Sequence, residues 1–394
     1  MTVEPMALPP GWTVQVHRAI DEIAEADWDS CASTEVPYVQ HRHLRALEHS
    51  GIATPATGFT PHHVVLHNAA GITVAAAPAY MKMHSRGELG IDLGLSLAHA
   101  RTVGPYYPKL QVEVPMTPLT GPRLLVRPDQ DVAVARAALL SALLTEAQAC
   151  GASSVQISYM LGEEREATEL AGMMANESNA YVWRPQGITS MAAHISRMHG
   201  RRRGMIARER REAKGYGLTW RRLAGADLAP DWPDRYFALY EQTFLRHDNE
   251  LWLNAAYFRM LFRDMGDAFE LLTAFDNDVC VGALLMMKGA RSLYAQHWGQ
   301  SGDYRFLHFE LVVYQGIERA IELGVERLDL GATGRHKAPR GIGLEATHHA
   351  TWFCSPAFRE VAEHGMARKR TASLAERAAE TARLPFEVPQ ARAE

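Results

Sequence analysis

The chain has 394 residues, 47% hydrophobic and 22% charged, with 41 Lys+Arg against 45 Asp+Glu. That length suits two or three domains, and the composition excludes a disordered chain, a collagen-like fibre and a disulfide scaffold. The net charge of −4 does not exclude a nucleic-acid partner: ten basic residues between Arg197 and Arg222 face only Glu209 and Glu212, a local +8 that leaves −12 elsewhere.

The elements run as follows. Trp12–Ala19 reads as a strand, and Ala24–Ala32 and Tyr38–Ser50 as short helices. Pro61–His67 and Thr73–Met83 read as paired strands about a turn at Asn68–Gly71, and Tyr106–Val114 extends the sheet. A Pro/Gly/Thr loop, 117–122, leads to a short strand, Leu124–Val126. Asp131–Cys150 is a long helix with an acidic start and Gly151 just past its end. Ser153–Tyr159 is a β-branched strand. In the second half, Met191–Tyr216 reads as one long helix, Leu218–Arg222 as a strand, and Trp232–Arg246 and Ala255–Met265 as helices. Three strands, Phe269–Asp276, Val279–Met287 and Ser292–His297, precede the helix Phe306–Leu323 with its stop at Gly324. A strand at Arg327–Leu330, a loop at Gly331–Gly343, a strand at Thr347–Cys354 and a helix at Ala357–Ala382 complete the chain.

Each half thus has antiparallel strands, then a strand, a crossover helix and another strand, which is an α/β unit with a mixed, mostly antiparallel sheet. The boundary is expected near residue 186, giving domains 1–185 and 186–394. The four cysteines (31, 150, 280, 354) are far apart and read as reduced thiols, and no metal site is expected. Met1–Trp12 lacks the features of a signal peptide and no run approaches 18 apolar residues. A cytoplasmic protein without membrane insertion is expected; the oligomeric state is not legible.

Four strings carry a resemblance: Pro78-Ala-Tyr80-Met-Lys82-Met-His84-Ser85-Arg86-Gly87-Glu88; Gly104-Pro-Tyr106-Tyr107-Pro108-Lys109 with Val-Pro115-Met-Thr117-Pro118-Leu-Thr120-Gly121-Pro122-Arg123-Leu-Leu-Val126; Leu307-His308-Phe309-Glu310 with Tyr314-Gln315-Gly316-Ile317-Glu318; and Gly331-Ala-Thr-Gly334-Arg-His336-Lys337-Ala-Pro-Arg340-Gly341. Together, and with the duplicated element order, they resemble the FemAB-like (peptidoglycan biosynthesis/recognition) family of the GNAT acyltransferase superfamily, over roughly residues 12–370. The resemblance implies two tandem GNAT-like domains and an amide-bond-forming N-acyltransferase. Its donor would be an aminoacyl-tRNA and its acceptor a small amine, a specialised metabolite or a cell-wall precursor. An acyl-CoA-dependent enzyme and a non-catalytic recognition module are the alternatives. Three departures point to a reshaped pocket: Tyr181-Val-Trp183-Arg184 stands where a Gln-Phe-His-Trp-like string is usual, Arg335 where Glu is usual, and Ile91–Ser96 is aliphatic.

A CoA diphosphate is held by free amides at a helix start. The loop Gly299–Phe306 lacks the glycine spacing and carries Asp303, and Thr117–Arg123 loses amides to proline. No cofactor is therefore expected, aminoacyl-tRNA being a co-substrate. On the helix opening the second half, Arg197, Arg201, Arg208 and Arg211 share a face or its edge, and Arg203, Arg210 and Lys214 share another. With Arg202 they suit a polyanion such as tRNA or a phosphorylated acceptor. Arg335, Lys337 and Arg340 suit a carboxylate or phosphate, and His336 could take a proton from the attacking amine. Glu310 or His308 could be the base, with Tyr294 or Tyr304 as proton donor. Tyr106, Tyr107 and Lys109 suit stacking on a ring, and the matched strings add His84, Arg123 and Gln315 to the substrate-binding candidates.

Overall fold

In the computed structural model, which describes residues 7–32, 34–86, 93–246 and 250–386, the chain builds two units, each drawn from three separate stretches. The first takes residues up to Ser178 with Trp252–Asp264 and Ala346–Leu374; the second takes Asn179–Leu251, Met265–Glu345 and the chain from Ala375. A single cut at 185/186 is therefore replaced by an interleaved division. The reason lies in pairing: the strand Gly343–Phe353 returns to lie antiparallel to Ser154–Met160, with Ala350 opposite Ile157 and Phe353 opposite Ser154.

In the first unit, Thr13–His17, His63–His67, Thr73–Ala77 and Leu125–Val126 form one antiparallel sheet. A second sheet runs Phe59–Pro61, Ala79–Lys82, Lys109–Val112, Ser154–Met160 and then the later part of Gly343–Phe353. The single strand read over Thr73–Met83 is thus two strands in two sheets, because Pro78 has no N–H to donate to a ladder. Lys109–Val112 and Ser154–Met160 are parallel and joined by the crossover helix Val132–Ala149. That helix is capped at Asp131, whose carboxylate accepts from Val134 N, and it stops before Gly151 at φ +67. Its buried Ala and Leu residues pack on Leu110, Val112, Val155 and Ile157. It is the one helix among the described residues long and apolar enough to cross a membrane.

The second unit repeats the plan. Thr219–Leu223, Phe269–Asp276, Val279–Lys288 and Ser292–Gln300 pair antiparallel. The last of these pairs in parallel with Arg327–Asp329, which in turn meets Trp183 and Val182 of the strand Met174–Trp183. The crossover is a π-helix, Phe309–Gln315, running into an α-helix, Gly316–Leu323. The result is the α/β, mixed-sheet plan, used twice in tandem, expected from the sequence.

Further elements differ from expectation: the helices Leu93–Thr102 and Arg165–Leu170 are not among those expected from the sequence. The strand Met174–Trp183 is not legible because its first half, Asn176-Glu-Ser-Asn179, consists of poor strand formers. The helix read as Met191–Tyr216 is two, Met191–Ser196 and Gly200–Gly215. Between them Met198 bridges Phe386, and His199 N donates to Pro385 O at 2.8 Å, which diverts the chain. Gly87, Glu88, Ile91 and Asp92, on which part of the expected motif falls, lie outside the described residues.

Candidate active site

The parallel pairing in the second unit is short, running from Ser292 opposite Arg327 to Tyr294 opposite Asp329. Beyond it Ser292–Gln300 continues while Arg327–Asp329 ends, so the sheet opens at the carboxyl ends of its parallel strands. Ligands of open α/β sheets gather at such ends. A register shift opposite Leu285/Met286 inserts one residue into Ser292–Gln300 between Ala295 and His297. The shift moves the side-chain alternation by one. Leu293, Ala295 and Trp298 therefore share the face packed against the π-helix, and His297 points the other way, toward Tyr240.

Near that end the rings of Trp298, His308, Phe309 and His336 cluster. The His308 ring lies 4.8 Å from Trp298, 5.4 Å from Phe309 and 5.3 Å from His336, centroid to centroid. His336 is half-buried, and its Nε2 is buried with no hydrogen-bond partner among the described residues. Burial, then the charges of Lys337 and Arg340, push its pKa down to about 4, so the imidazole is neutral at physiological pH. Its ring lies over Gly334, at φ +105; a Cβ there would stand 2.7 Å from the imidazole, so the loop needs glycine at this point.

Two ion networks hold this arrangement in place, and adjacent residues of the helix Gly200–Gly215 anchor both. Glu209 takes Arg340 side-on, from Nη2 at 2.6 Å and Nε at 3.0 Å, and accepts from the Tyr314 hydroxyl. Arg340 also lies 3.5 Å above the Phe309 ring and donates to the His336 carbonyl. Arg210 holds Glu310 at 3.0 and 3.2 Å and Glu318 at 2.8 Å. Lys337, almost fully buried, donates to the Leu330 and Thr333 carbonyls and so ties the loop to the strand end; burial lowers its pKa to about 8. A π-helix at this spot fits its frequent occurrence at functional sites.

The candidates fare unequally. His308, His336, Lys337 and Arg340 are brought together with Glu310, but Glu310 is buried and bound by Arg210 rather than open to a nucleophile. Tyr294 is buried on the face of its strand opposite Leu293 and Ala295. Tyr304 is tied to Asp276 at 2.7 Å. Arg335 is exposed, 4.0 Å from Glu380, and Gln315 lies in a separate groove with Arg222 and Glu318. In the first unit, Lys109 is buried with Nζ 3.0 Å from Gln156 Oε1 and 5.7 Å from the Tyr106 ring, and Tyr106 meets Tyr107 edge-on at 5.1 Å. Arg123 is buried as a brace, donating to the carbonyls of Ser158, Pro122 and Leu119. His84 packs over Gly58 and accepts from Arg86 N at 3.2 Å. Tyr314 and Glu318 stood in a matched string but were not assigned to the site, and Trp298 was missed. The spacing Glu310, Tyr314, Glu318 along one helix was the signal available for the first two.

The basic helix turns Arg202, Ile206, Glu209 and Ala213 inward and leaves Arg201, Arg203, Arg208, Arg211 and Lys214 exposed. Arg208 is 3.7 Å from Glu212, and Arg203 donates to Met198 O. Arg201, Arg211 and Lys214 have no partner among the described residues. Arg197 falls outside both helices.

Amides at the two candidate diphosphate loops are engaged internally. In the second unit Gln300 N donates to Thr243 Oγ1, Ser301 N to Val281 O, and Arg305 N to the Tyr216 hydroxyl. In the first unit the buried Glu164 carboxylate accepts from the amides of Arg123, Leu124 and Leu161, so the protein's own carboxylate fills the anion position. All four cysteines are free thiols. One group among the described residues, His62, Glu146 and Cys150, has ligand atoms within 4.8 Å of one another; the Arg18 guanidinium lies against the His62 ring, a cation where a metal ion would need none.

No curated relative matches the chain. The structure is similar to that of FemX, with a TM-score of 0.55, 12% identity, and coverage of 89% of this chain and 100% of that one. It is also similar to the C-terminal domain of a putative lysylphosphatidylglycerol synthetase from Agrobacterium fabrum, with a TM-score of 0.53, 10% identity, and coverage of 87% and 97%. At such identities the likeness is one of fold. The FemAB-like family model, described as peptidoglycan biosynthesis/recognition, matches residues 19–388, and the chain belongs to that family.

Proposed function

We propose that the chain is an N-acyltransferase that forms an amide bond by transferring an aminoacyl group from aminoacyl-tRNA to the amine of a small acceptor. The observation that carries this reading is the helix Gly200–Gly215. Its outer face presents Arg201, Arg203, Arg208, Arg211 and Lys214, and its inner face anchors, through Glu209 and Arg210, the loop and π-helix that hold His336 and His308. A polyanion seated on the outer face would lie on the element that fixes the two imidazoles. The engaged amides at both loops support a donor other than acyl-CoA.

Aminolysis of an ester needs a neutral amine, a group to take its proton and a proton for the leaving hydroxyl. His336, neutral and with Nε2 unpartnered, can accept the amine proton and return it to the ribose oxygen of the departing tRNA. His308, edge-on to it, lies close enough to share that role. No covalent enzyme intermediate is required. With that donor the reaction would run in the cytoplasm, where charged tRNA is made.

The test is a gel shift with bulk charged tRNA at low salt, using wild type and the triple variant Arg201→Glu/Arg211→Glu/Lys214→Glu. Wild type is expected to bind, and the variant to bind at least tenfold more weakly. Equal binding by the two proteins, no binding by wild type, or transfer from acyl-CoA that survives RNase would reject the reading.

A further inference from the structure

A cavity of roughly 650 Å³ is lined wholly by residues of the second unit, none of them from the His308–His336 cluster. Its size falls in the range of small-molecule sites. Trp183, Ile188, Leu344, Leu384 and Phe386 give it apolar walls. Trp183 is held in place by its indole N–H, 3.4 Å from His194 Nδ1. Gly341, at φ +83, forms part of the wall; a Cβ there would stand 2.7 Å from His194 and 2.8 Å from Phe386, so the backbone must approach these rings closely.

The charges in this lining are unequal. Arg184 faces Glu345 in a bidentate pair, at 2.5 and 2.9 Å, that is neutral as a whole. Arg197, at the turn between the two helices, uses one guanidinium nitrogen to donate to the Gln186 carbonyl at 3.2 Å and has no carboxylate partner among the described residues. Two arginines and one glutamate leave the lining at +1. A guanidinium has five N–H donors in a planar fork suited to a carboxylate or phosphate. The mix of apolar side chains and the Arg197 guanidinium in one lining suits a molecule with a hydrocarbon or aromatic body and an anionic end.

We infer that this cavity binds a small amphipathic anion, with its apolar body on Leu344, Leu384 and Phe386 and its carboxylate or phosphate on Arg197. The site stands independently of the tRNA reading, because its test contains no RNA and no transfer step.

The test is calorimetric titration of the full chain with decanoate, and with decyltrimethylammonium and decanol as the cationic and neutral counterparts. Decanoate is expected to bind at one saturable site, at least tenfold tighter than decyltrimethylammonium. Arg197→Ala should weaken decanoate about tenfold or more and leave decanol unchanged, and Arg197→Lys should restore most of the loss. Leu384→Trp, which fills the cavity, should remove the binding of both. Decanoate binding that is absent, no tighter than that of the cation, or unchanged in Arg197→Ala would overturn the assignment. Decanoate and decyl phosphate compared on wild type tell a carboxylate site from a phosphate site.

Discussion

Glu310 and Arg340 illustrate how a buried charge acquires its role from its partner. Each is nearly inaccessible, and each is held by the neighbouring residues Arg210 and Glu209 of one helix. Removing one partner leaves the other charged and desolvated, so Arg340→Met should cost about 3–5 kcal/mol in urea unfolding, while Glu209→Leu/Arg340→Met together should recover much of that loss. His336→Asn is expected to lower the transfer rate by roughly 10²–10⁴-fold with little change in tRNA binding, which separates proton transfer from donor docking. Acid sensitivity has a separate origin in the first unit. His43 is fully buried, between the Tyr38 carbonyl at 2.9 Å and the Tyr257 hydroxyl at 3.0 Å, and burial pushes its pKa down to about 4. The unfolded chain then binds a proton that the folded chain refuses. The stability contributed is complete above about pH 6.5 and is lost as pH falls toward 4, on the order of 3 kcal/mol. Urea unfolding at pH 7 and pH 4.5 should show this loss, and His43→Gln should shrink it. At this scale the sequence marked His308, His336, Lys337 and Arg340 as a loop and helix-start group, and they do meet. It took Tyr294 for a proton donor although the residue is buried in its strand, and it took Glu310 for an open base because Arg210 lies one hundred positions away.

Among the elements, the loop 114–123 shows the clearest division between legible and hidden. Its prolines are plain in the sequence and remove amide donors, but the filling of its remaining amides by Glu164 depends on a carboxylate about 40 residues on. Glu164→Ala should lower the melting temperature, at a cost of about 1–3 kcal/mol for each amide left buried and unpaired. The vacated amides should make the variant, unlike wild type, gain stability from millimolar sulfate. Helix and strand positions were read well wherever hydrophobic period and turn residues agreed: Ala255–Met265, Phe269–Asp276 and Val132–Ala149 lie within a residue or so of expectation. The break at Arg197–His199 was hidden because no proline marks it; the diversion comes from Pro385 and Phe386 at the far end of the chain.

For the whole molecule, the net charge of −4 separates into parts that do different work. The local +8 counted along the sequence overstates what solvent meets. Arg210 is paired with Glu310 and Glu318, and Arg222 with Glu322. On the proposed reading, the exposed cations that remain predict a moderate dependence of tRNA affinity on salt. The slope of log affinity against log salt should fall by about one for each of Arg201, Arg211 and Lys214 replaced by a neutral residue. The tandem plan was legible from the repeated order of strands and crossover helix. The interleaving of the units was not, because no local signal says which earlier strand a late strand will join.

That interleaving bears on how the chain is made. During synthesis, the edge of Ser154–Met160 that Ala346–Phe353 will cover emerges about 190 residues before its partner. The first unit is complete only when the segment ending at Leu374 has left the ribosome. An uncovered apolar strand edge held that long invites non-native pairing. The nascent protein should therefore depend on a chaperone holding its first half, and a fragment ending at residue 185 should be insoluble alone but rescued by co-expression of 186–394.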